Sequence, residues 1–287
     1  MKKLLLPLIA AVLWLSKPLC AASAAEGFTY TLIGDEVTVT GYSGKPEVID
    51  IPQYIEGKPV TEVRDNAFWM CTTLRQISLP ATVRTMGHHC FYGCSGLEEI
   101  ILPPQLESLG MGCFGECTSL DEITLPDTLE VLPDSCFRGC TSLETIVIPQ
   151  SVTNIEKFCF CRCSSLCYAS PGGRLSEIGT GAFYMCEKLD NIYIPPSVER
   201  LGAEALGYTA GGERVKLTII GAEGSAAEEY AEANGIVFSS SPETVQTFDP
   251  ADSENAPVKL PPSLAAAGGG LFLLAGGLAL RQYLIRK

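Results

Sequence analysis

The sequence has few basic side chains and almost no imidazoles. Its 287 residues include 20 Lys and Arg against 33 Asp and Glu, and only two His. All 33 acids lie between Glu26 and Glu254, and six of the 20 bases lie in the terminal regions, so residues 25–263 carry a net charge of −19. Such a surface repels nucleic acid and anionic lipid and favours basic partners or divalent cations. The shortage of bases therefore argues against a nucleic-acid-binding protein.

Arrangements that support catalysis are also missing. No Ser-His-Asp set, carboxylate pair or phosphate loop occurs in a context that would support a reaction. The adjacent His88 and His89, with Cys90 and Cys94, form a weak metal motif that no second cluster completes. These two cysteines also occupy regular positions of a repeat. We therefore predict neither enzymatic activity nor a metal or cofactor.

A unit of 23 residues recurs along the chain over seven copies. One aromatic position in each copy serves as its marker, and the markers are Phe68, Phe91, Phe114, Phe137, Phe160, Phe183 and Leu206. Most copies also carry Leu-x-x-Ile-x-Leu followed by Pro, which cannot donate to a sheet ladder and should end a strand of about four to five residues. A period of about 20–29 residues with this pattern is typical of leucine-rich repeats.

The repeat predicts an elongated core. Each copy has apolar residues in its strand and at two further positions of its return limb, so every limb contributes to one continuous core. We predict a leucine-rich-repeat solenoid of the α/β horseshoe type, with short parallel strands on one face and turns or short helical segments on the other. The fifth copy, Cys167 to Gly173, lacks the Ile-x-Ile-Pro core and should have a weak strand.

Most of the 13 cysteines recur at two positions of the repeat. One position holds Cys71, Cys94, Cys117, Cys140, Cys163 and Cys186, and the other holds Cys90, Cys113, Cys136 and Cys159. At the second position Ala replaces Cys in other copies, which indicates a small buried side chain. Disulfides are the alternative in an exported protein, and the irregularly placed Cys161 and Cys167 form the preferred candidate pair.

The regions next to the repeats divide the chain further. Residues 1–24 have the basic start, apolar run and small-residue end of a signal peptide. Residues 25–59 alternate between apolar and polar side chains and should form strands that cap the first repeat. The repeats occupy residues 60–209, and residues 210–238 should form a C-terminal cap of a strand and a helix. We expect Ser225 and Glu228 to start that helix and Gly235 to end it.

The C-terminal region predicts attachment to a membrane. Residues 239–263, rich in Ser, Pro and acids, should form an unstructured stalk. Residues 264–280 are apolar and uncharged and predict a single-pass transmembrane helix, with the basic tail 281–287 in the cytoplasm and the repeats outside. The stretch from Leu260 to Leu264 is a weakened form of the Leu-Pro-x-Thr-Gly sortase signal, which makes wall attachment the weaker alternative.

The strand positions that point away from the core are the candidates for ligand binding, because in a horseshoe they line the concave sheet. They are Gln76, Glu99, Ile101, Glu122, Thr124, Thr145, Val147, Tyr168, Asn191 and Tyr193. The apolar members could anchor a partner among the neighbouring acidic side chains. The alternative is a sheet face that is merely solvated.

The unit from Ala182 to Pro195, Ala-Phe-x-x-Cys-x-x-Leu-x-x-Ile-x-Ile-Pro, resembles the repeat of the BspA-like leucine-rich-repeat family. The resemblance covers about Val60 to Tyr208, and Ile219 to Phe238 is similar to the closing segment common in that family. Its members are exported or cell-surface proteins linked to adhesion. The resemblance implies a bacterial surface protein that binds an extracellular protein or glycan and brings no catalytic residues. The alternative is a structural envelope or spacer protein without a specific ligand.

Overall fold

The computed structural model describes residues 26–240. The predicted signal peptide, transmembrane helix and basic tail, and nearly all of the predicted stalk, lie outside these residues, so they stay predictions. Within residues 26–240, no helix has the length and hydrophobicity needed to cross a membrane.

The described chain begins with strands that cover the first coil. These are β1 (Phe28–Ile33), β2 (Glu36–Tyr42), β3 (Val48–Asp50), β4 (Tyr54–Ile55) and β5 (Lys58–Val63). β1 and β2 form an antiparallel hairpin, and β2 then pairs in parallel with β5, the first strand of the return limb. Val37 and Val39 of β2 are fully buried, so the hairpin closes the apolar end of the stack.

Each following coil contributes short strands to two columns. In chain order these strands are β6 (Gln76–Ser78), β7 (Thr85–Met86), β8 (Glu99–Ile101), β9 (Ser108–Leu109), β10 (Val131–Leu132), β11 (Thr145–Val147), β12 (Asn154–Ile155), β13 (Tyr168–Ser170), β14 (Glu177–Ile178), β15 (Asn191–Tyr193), β16 (Arg200–Leu201) and β17 (Thr218–Ile220), followed by α1 (Ala226–Asn234) and β18 (Val237–Ser239). The first column contains β3, β6, β8, β11, β13, β15, β17 and β18, and the second contains β2, β5, β7, β9, β10, β12, β14 and β16. The chain is thus a β-solenoid of stacked coils, as the repeat predicts.

The limb opposite the first column differs from the α/β prediction. Among residues 26–240, the single helix α1 lies in the C-terminal cap and none lies in the repeats. The repeats instead contain turns, and nearly every coil has a left-handed residue two positions before and two positions after its marker. These are Asn66, Met70, His89, Gly93, Gly112, Glu116, Ser135, Gly139, Phe158, Arg162, Gly181 and Met185. Two left-handed residues per turn prevent a right-handed helix from propagating, and the second strand column was not predicted.

The turns of adjacent coils are joined by their own backbone hydrogen bonds, which we call the turn ladder. At each marker phenylalanine the N–H donates to a carbonyl of the next coil, as from Phe68 to Cys90 at 2.9 Å and from Phe91 to Cys113 at 2.8 Å. The left-handed residues donate in the same way, as from Met70 to Tyr92 at 2.7 Å. The turns therefore hold neighbouring coils together as strands would.

The six marker phenylalanines form a stack through the centre of the core. They are almost completely inaccessible to solvent, with ring centroids 5.1–5.7 Å apart and interplanar angles of 2–15°. Beside the stack, every thiol of one cysteine column except that of Cys71 donates to the marker carbonyl of the preceding coil, as from Cys94 to Phe68 at 3.0 Å and from Cys140 to Phe114 at 3.2 Å. Parallel offset rings at these distances attract one another, so the period of the sequence becomes a continuous aromatic column.

Both strand columns are interrupted between the Phe114 coil and the Phe137 coil. In the second column, Gly110 N–H donates to Met86 at 2.8 Å and Glu156 N–H donates to Leu132 at 2.9 Å. The equivalent residue between them is Pro133, which has no N–H, so β9 and β10 do not pair. In the first column, Glu122 forms only an isolated bridge with Glu99, and like charges directly opposite one another weaken strand pairing.

The prediction of a weak strand in the fifth repeat is confirmed in part, because the strand forms but pairs on one side only. β13 pairs in parallel with β11 over three residues, and Ile148 N–H donates to Ser170 at 2.9 Å. Ala169 takes the core position that Ile holds in other coils and is 5% exposed. Pro171 stands where Ile148 and Ile194 donate to the following coil, so this donor is missing and β13 does not pair with β15. A small residue therefore satisfies the core position.

The C-terminal cap ends the stack by replacing an eighth coil. Helix α1 begins after Ser225 and ends at Gly235, which has the expected left-handed conformation, but Glu228 bonds to the N–H of Gly224 instead of Ser225. The hydroxyl of the buried Tyr230 accepts from Leu206 N–H at 3.0 Å and donates to Leu206 C=O at 3.2 Å. One side chain thus saturates backbone groups of the last turn.

Candidate functional site

The ten predicted binding residues lie on the outer side of the first strand column, and we call this surface the strand face. Their neighbours in the strands point into the core, since side chains alternate along a strand. Three of the ten are large apolar side chains that remain exposed: Ile101 by 71%, Val147 by 52% and Tyr193 by 42%. The strand register places these three at equivalent positions of their coils.

The strand face consists of three hydrogen-bonded groups. The first joins Gln76, Glu99 and Ile101 and reaches Glu122 by a single bridge. The second joins β11 to β13 and contains Thr145, Val147 and Tyr168, and the third joins β15 to β17 and contains Asn191 and Tyr193. The structure therefore places the predicted residues on one side of the solenoid, but their hydrogen bonds do not form one continuous sheet.

Acidic side chains surround the apolar positions at the N-terminal end of this face. Glu98, Glu99, Asp121, Glu122 and Glu144 lie in or directly before the strand positions, and Glu98 forms an ion pair with Arg75. Partial burial, followed by the charges of Asp121 and Glu99, raises the pKa of Glu122. The strand face thus combines apolar centres with a strongly negative border.

All twelve described cysteines are free, and the members of the two columns are buried apart from the half-buried Cys71. Burial raises the pKa of the Cys94 thiol to about 12, with the neighbouring Cys71 contributing further, and it also raises the thiol pKa values of Cys117, Cys136 and Cys163. A thiol with a raised pKa is a poor nucleophile and a poor metal ligand. The cysteine columns therefore serve packing.

The proposed disulfide between Cys161 and Cys167 is not formed in the structure. Cys161 is buried in the turn after its marker, where Arg138, Arg162 and Glu116 are its charged neighbours. Cys167 is exposed directly before β13, and its thiol donates to Glu144 C=O at 3.4 Å. The two thiols lie in different limbs of the coil, so proximity in the sequence does not bring them together.

The weak histidine and cysteine motif does not form a metal site. His88 is exposed and its Nδ1 accepts from Met111 N–H at 2.9 Å, whereas Cys90 and Cys94 point into the core. Within residues 26–240, no group of three His, Cys, Asp or Glu side chains is arranged to hold a metal ion.

A groove that the sequence reasoning missed lies on the outer surface of the turns, and we call it the turn groove. It has a volume of about 440 Å³ and runs across four coils. Its principal side chains are Trp69, His89, Tyr92, Met111, Asp134 and Arg138. A signal for it is present in the sequence, because Gly112 and Gly115 leave two neighbouring outer positions of one coil without side chains.

Comparisons with known proteins agree with the fold. A family model described as a BspA type leucine rich repeat region matches in six copies over residues 49–167 and 87–213. No curated protein matches the chain. The family is defined by its repeat and indicates no catalytic activity.

Solved structures of bacterial leucine-rich-repeat proteins are also similar. A leucine-rich-repeat protein of T. pallidum is 28% identical, with a TM-score of 0.50, and the match covers 57% of this chain and 89% of that one. A leucine rich cell surface protein from Faecalibacterium prausnitzii is 27% identical, with a TM-score of 0.61, over 68% of this chain and 53% of that one, so this chain spans about half of its length. With the repeat pattern, the stacked coils and the family match over residues 49–213, the chain belongs to the BspA-type leucine-rich-repeat family.

Proposed function

We propose that this chain is a bacterial cell-surface protein that binds an extracellular protein through its strand face, without catalysis. One observation carries the proposal: Ile101, Val147 and Tyr193 remain 71%, 52% and 42% exposed at equivalent positions of a regular face. Side chains of this size are not needed at these positions by the fold, because neighbouring coils have Ser78, Thr124 and Ser170 there. Exposed apolar groups at regular spacing within a polar border are typical of a binding surface.

The charge of the face specifies the kind of partner. The carboxylates beside Ile101 favour a partner whose apolar contact area has Lys and Arg around it. Similarity to a cell-surface protein of Faecalibacterium prausnitzii supports an extracellular location. Attachment through residues 264–280 is a further part of the proposal and rests on the sequence alone.

The test compares two variants of the full chain on an array of purified extracellular proteins. Ile101→Ser combined with Tyr193→Ala removes two apolar anchors, and Val131→Ser is the matched control, because Val131 is 42% exposed in the second strand column. We expect the double variant to lose at least about tenfold in affinity, which corresponds to about 1.4 kcal/mol, and the control to bind as the parent does. Binding should also weaken as salt rises, since exposed charges are screened.

Unchanged binding by a folded double variant would contradict the use of the strand face. If no array protein binds the parent chain at low salt, the spacer alternative replaces the binding function.

A further inference from the structure

The turn groove has the features of a second site, and it shares no residue with the strand face. It arises because side chains at the outer turn positions lean along the solenoid axis over the following coil. A Cβ atom added to Gly112 would lie 2.7 Å from His89 Cδ2, and one added to Gly115 would lie 2.7 Å from Tyr92 Cδ2. The rings of His89 and Tyr92 therefore lie over the backbone of Gly112 and Gly115, where any larger residue would clash with them. The centroids of the two rings are 5.5 Å apart.

Aromatic surface dominates one side of the groove. The Trp69 side chain is 57% exposed, although it stands next to a fully buried marker, and Met111 is 39% exposed. Other coils have Tyr, Gly, Arg or Cys at the position of Trp69, so the repeat does not require an indole there. Exposed aromatic faces of this kind bind flat apolar surfaces of a ligand.

The opposite side of the groove contains the positively charged side chain of Arg138. Asp134 accepts from Ser135 Oγ at 2.7 Å and lies 3.3 Å from Lys157 Nζ, so its charge is already balanced. Arg138 forms no ion pair with any carboxylate within residues 26–240, whereas Arg162 of the next coil is paired with Glu116 at 3.8 Å. An unpaired guanidinium in a chain of net charge −13 is suited to bind a carboxylate through two parallel hydrogen bonds.

The backbone of the groove decides between ligand classes. The N–H groups of His89, Phe91 and Gly112 all donate to carbonyls of the next coil at 2.8–2.9 Å. An extended peptide that binds by adding a strand needs free main-chain N–H and C=O groups. In the turns these N–H groups already form the hydrogen bonds of the turn ladder. A ligand must instead be held by ring faces and by side-chain donors and acceptors, which favours a compact molecule with hydroxyl groups.

We propose that the turn groove binds a short oligosaccharide with a residue that carries a carboxylate, as uronic acids and sialic acids do. The carboxylate pairs with Arg138, the C–H face of another residue of the same oligosaccharide packs on Trp69 and Tyr92, and hydroxyls along it bond with Asn66 and Asp134 at the rim. The groove volume of about 440 Å³ lies in the range of small-ligand sites, about 300–1,000 Å³.

The test is calorimetric titration of the full chain with trigalacturonate and with 3′-sialyllactose, using lactose as the neutral probe. We expect at least one acidic sugar to bind with a Kd of about 1 mM or lower, and lactose to bind at least tenfold more weakly. A response to trigalacturonate alone identifies uronic acids, and a response to sialyllactose alone identifies sialic acids.

Three variants locate the binding. Arg138→Gln should abolish the preference for the acidic sugar and Trp69→Ala should weaken binding at least tenfold, whereas Arg162→Gln is the matched control and should bind as the parent does. Trp69 and Arg138 are exposed, so both variants should unfold at the parent's temperature. The strand-face variant Ile101→Ser with Tyr193→Ala should keep its sugar binding, which separates this site from the proposed function.

Absence of binding to both acidic sugars at about 10 mM, well above the expected Kd, would overturn the proposal. Binding that Arg138→Gln and Trp69→Ala leave unchanged would do so as well. If an acidic peptide binds in a Trp69-dependent manner and the sugars do not, the groove is a peptide site and the sugar assignment is wrong.

Discussion

The hydrogen bonds of the turns are continuous along this solenoid, whereas those of the strands are interrupted in both columns at one boundary between coils. Between the Phe114 and Phe137 coils neither strand column is continuous. The turn ladder crosses that boundary intact through three backbone hydrogen bonds. The N–H of Gly112 donates to the C=O of Asp134 at 2.9 Å, that of Phe114 to the C=O of Cys136 at 2.8 Å, and that of Glu116 to the C=O of Arg138 at 2.7 Å. The coils therefore stay stacked where the strands do not pair.

This difference shows which interactions hold the stack together. Each coil contacts only its neighbours, so every boundary must be stable by itself. At the Phe114–Phe137 boundary the turn ladder, the phenylalanine stack and the thiol bond from Cys140 to Phe114 remain. The strands add to these interactions at other boundaries and are dispensable at this one.

Phe114→Ala should produce the largest effect, because it removes part of the core where strand pairing cannot compensate. Truncating a buried Phe typically costs about 3–5 kcal/mol. We expect that loss in urea unfolding of the full chain, with the transition separating into two steps as the two halves uncouple. Phe160→Ala is the matched control, because the second strand column is continuous on both sides of the Phe160 coil, where β12 pairs with β10 and with β14. It should lose a similar free energy of unfolding in a single transition. Two transitions in both variants would show that the strands do not couple the coils.

Tyr230→Phe should produce an intermediate effect, because it removes the hydroxyl that completes the last rung of the turn ladder. Leaving a buried N–H and C=O of Leu206 without this partner should cost about 1–3 kcal/mol. Tyr208→Phe is the control, since its hydroxyl bonds to the Asn234 side chain and not to the ladder. Its loss should be smaller.

The pH dependence of the unfolding free energy provides a second measurement of the interaction between Tyr230 and Leu206. Burial raises the pKa of Tyr230 to about 12 in the folded chain, against about 10 for an exposed tyrosine. A group with a raised folded pKa stabilises the fold at pH values below its unfolded pKa. The parent should therefore lose this contribution between about pH 10 and pH 12, and the decline of unfolding free energy in that window should be shallower in Tyr230→Phe. Equal slopes in the two proteins would contradict the buried hydroxyl.

The repeat period was sufficient to predict the stacked coils, the marker stack and the buried cysteine columns, because each depends on one residue recurring every 23 positions. The second strand column and the left-handed turns were not predicted. Their positions hold residues as different as Phe158 and Gly181, so no residue type marks them. The strand-face residues followed from strand alternation. The turn groove did not, because it depends on Gly112 and Gly115 of one coil coinciding with Trp69 and Arg138 of others.

Pro133→Gly should have the smallest effect on global stability and the most local one. It supplies the missing N–H where Gly110 and Gly179 donate to the preceding coil at 2.8 and 2.7 Å, so β9 and β10 can pair through Leu109 C=O. The new hydrogen bond should contribute about 0.5–1.5 kcal/mol, and replacing Pro by Gly should cost about as much in entropy of the unfolded chain. The net change in unfolding free energy should therefore be within about 1 kcal/mol of zero. Hydrogen exchange distinguishes this balance from no structural change: the amide of residue 133 should be protected to the same degree as that of Gly110. If that amide exchanges like an exposed one, the interruption of the second column comes from the spacing of the coils and not from the missing donor.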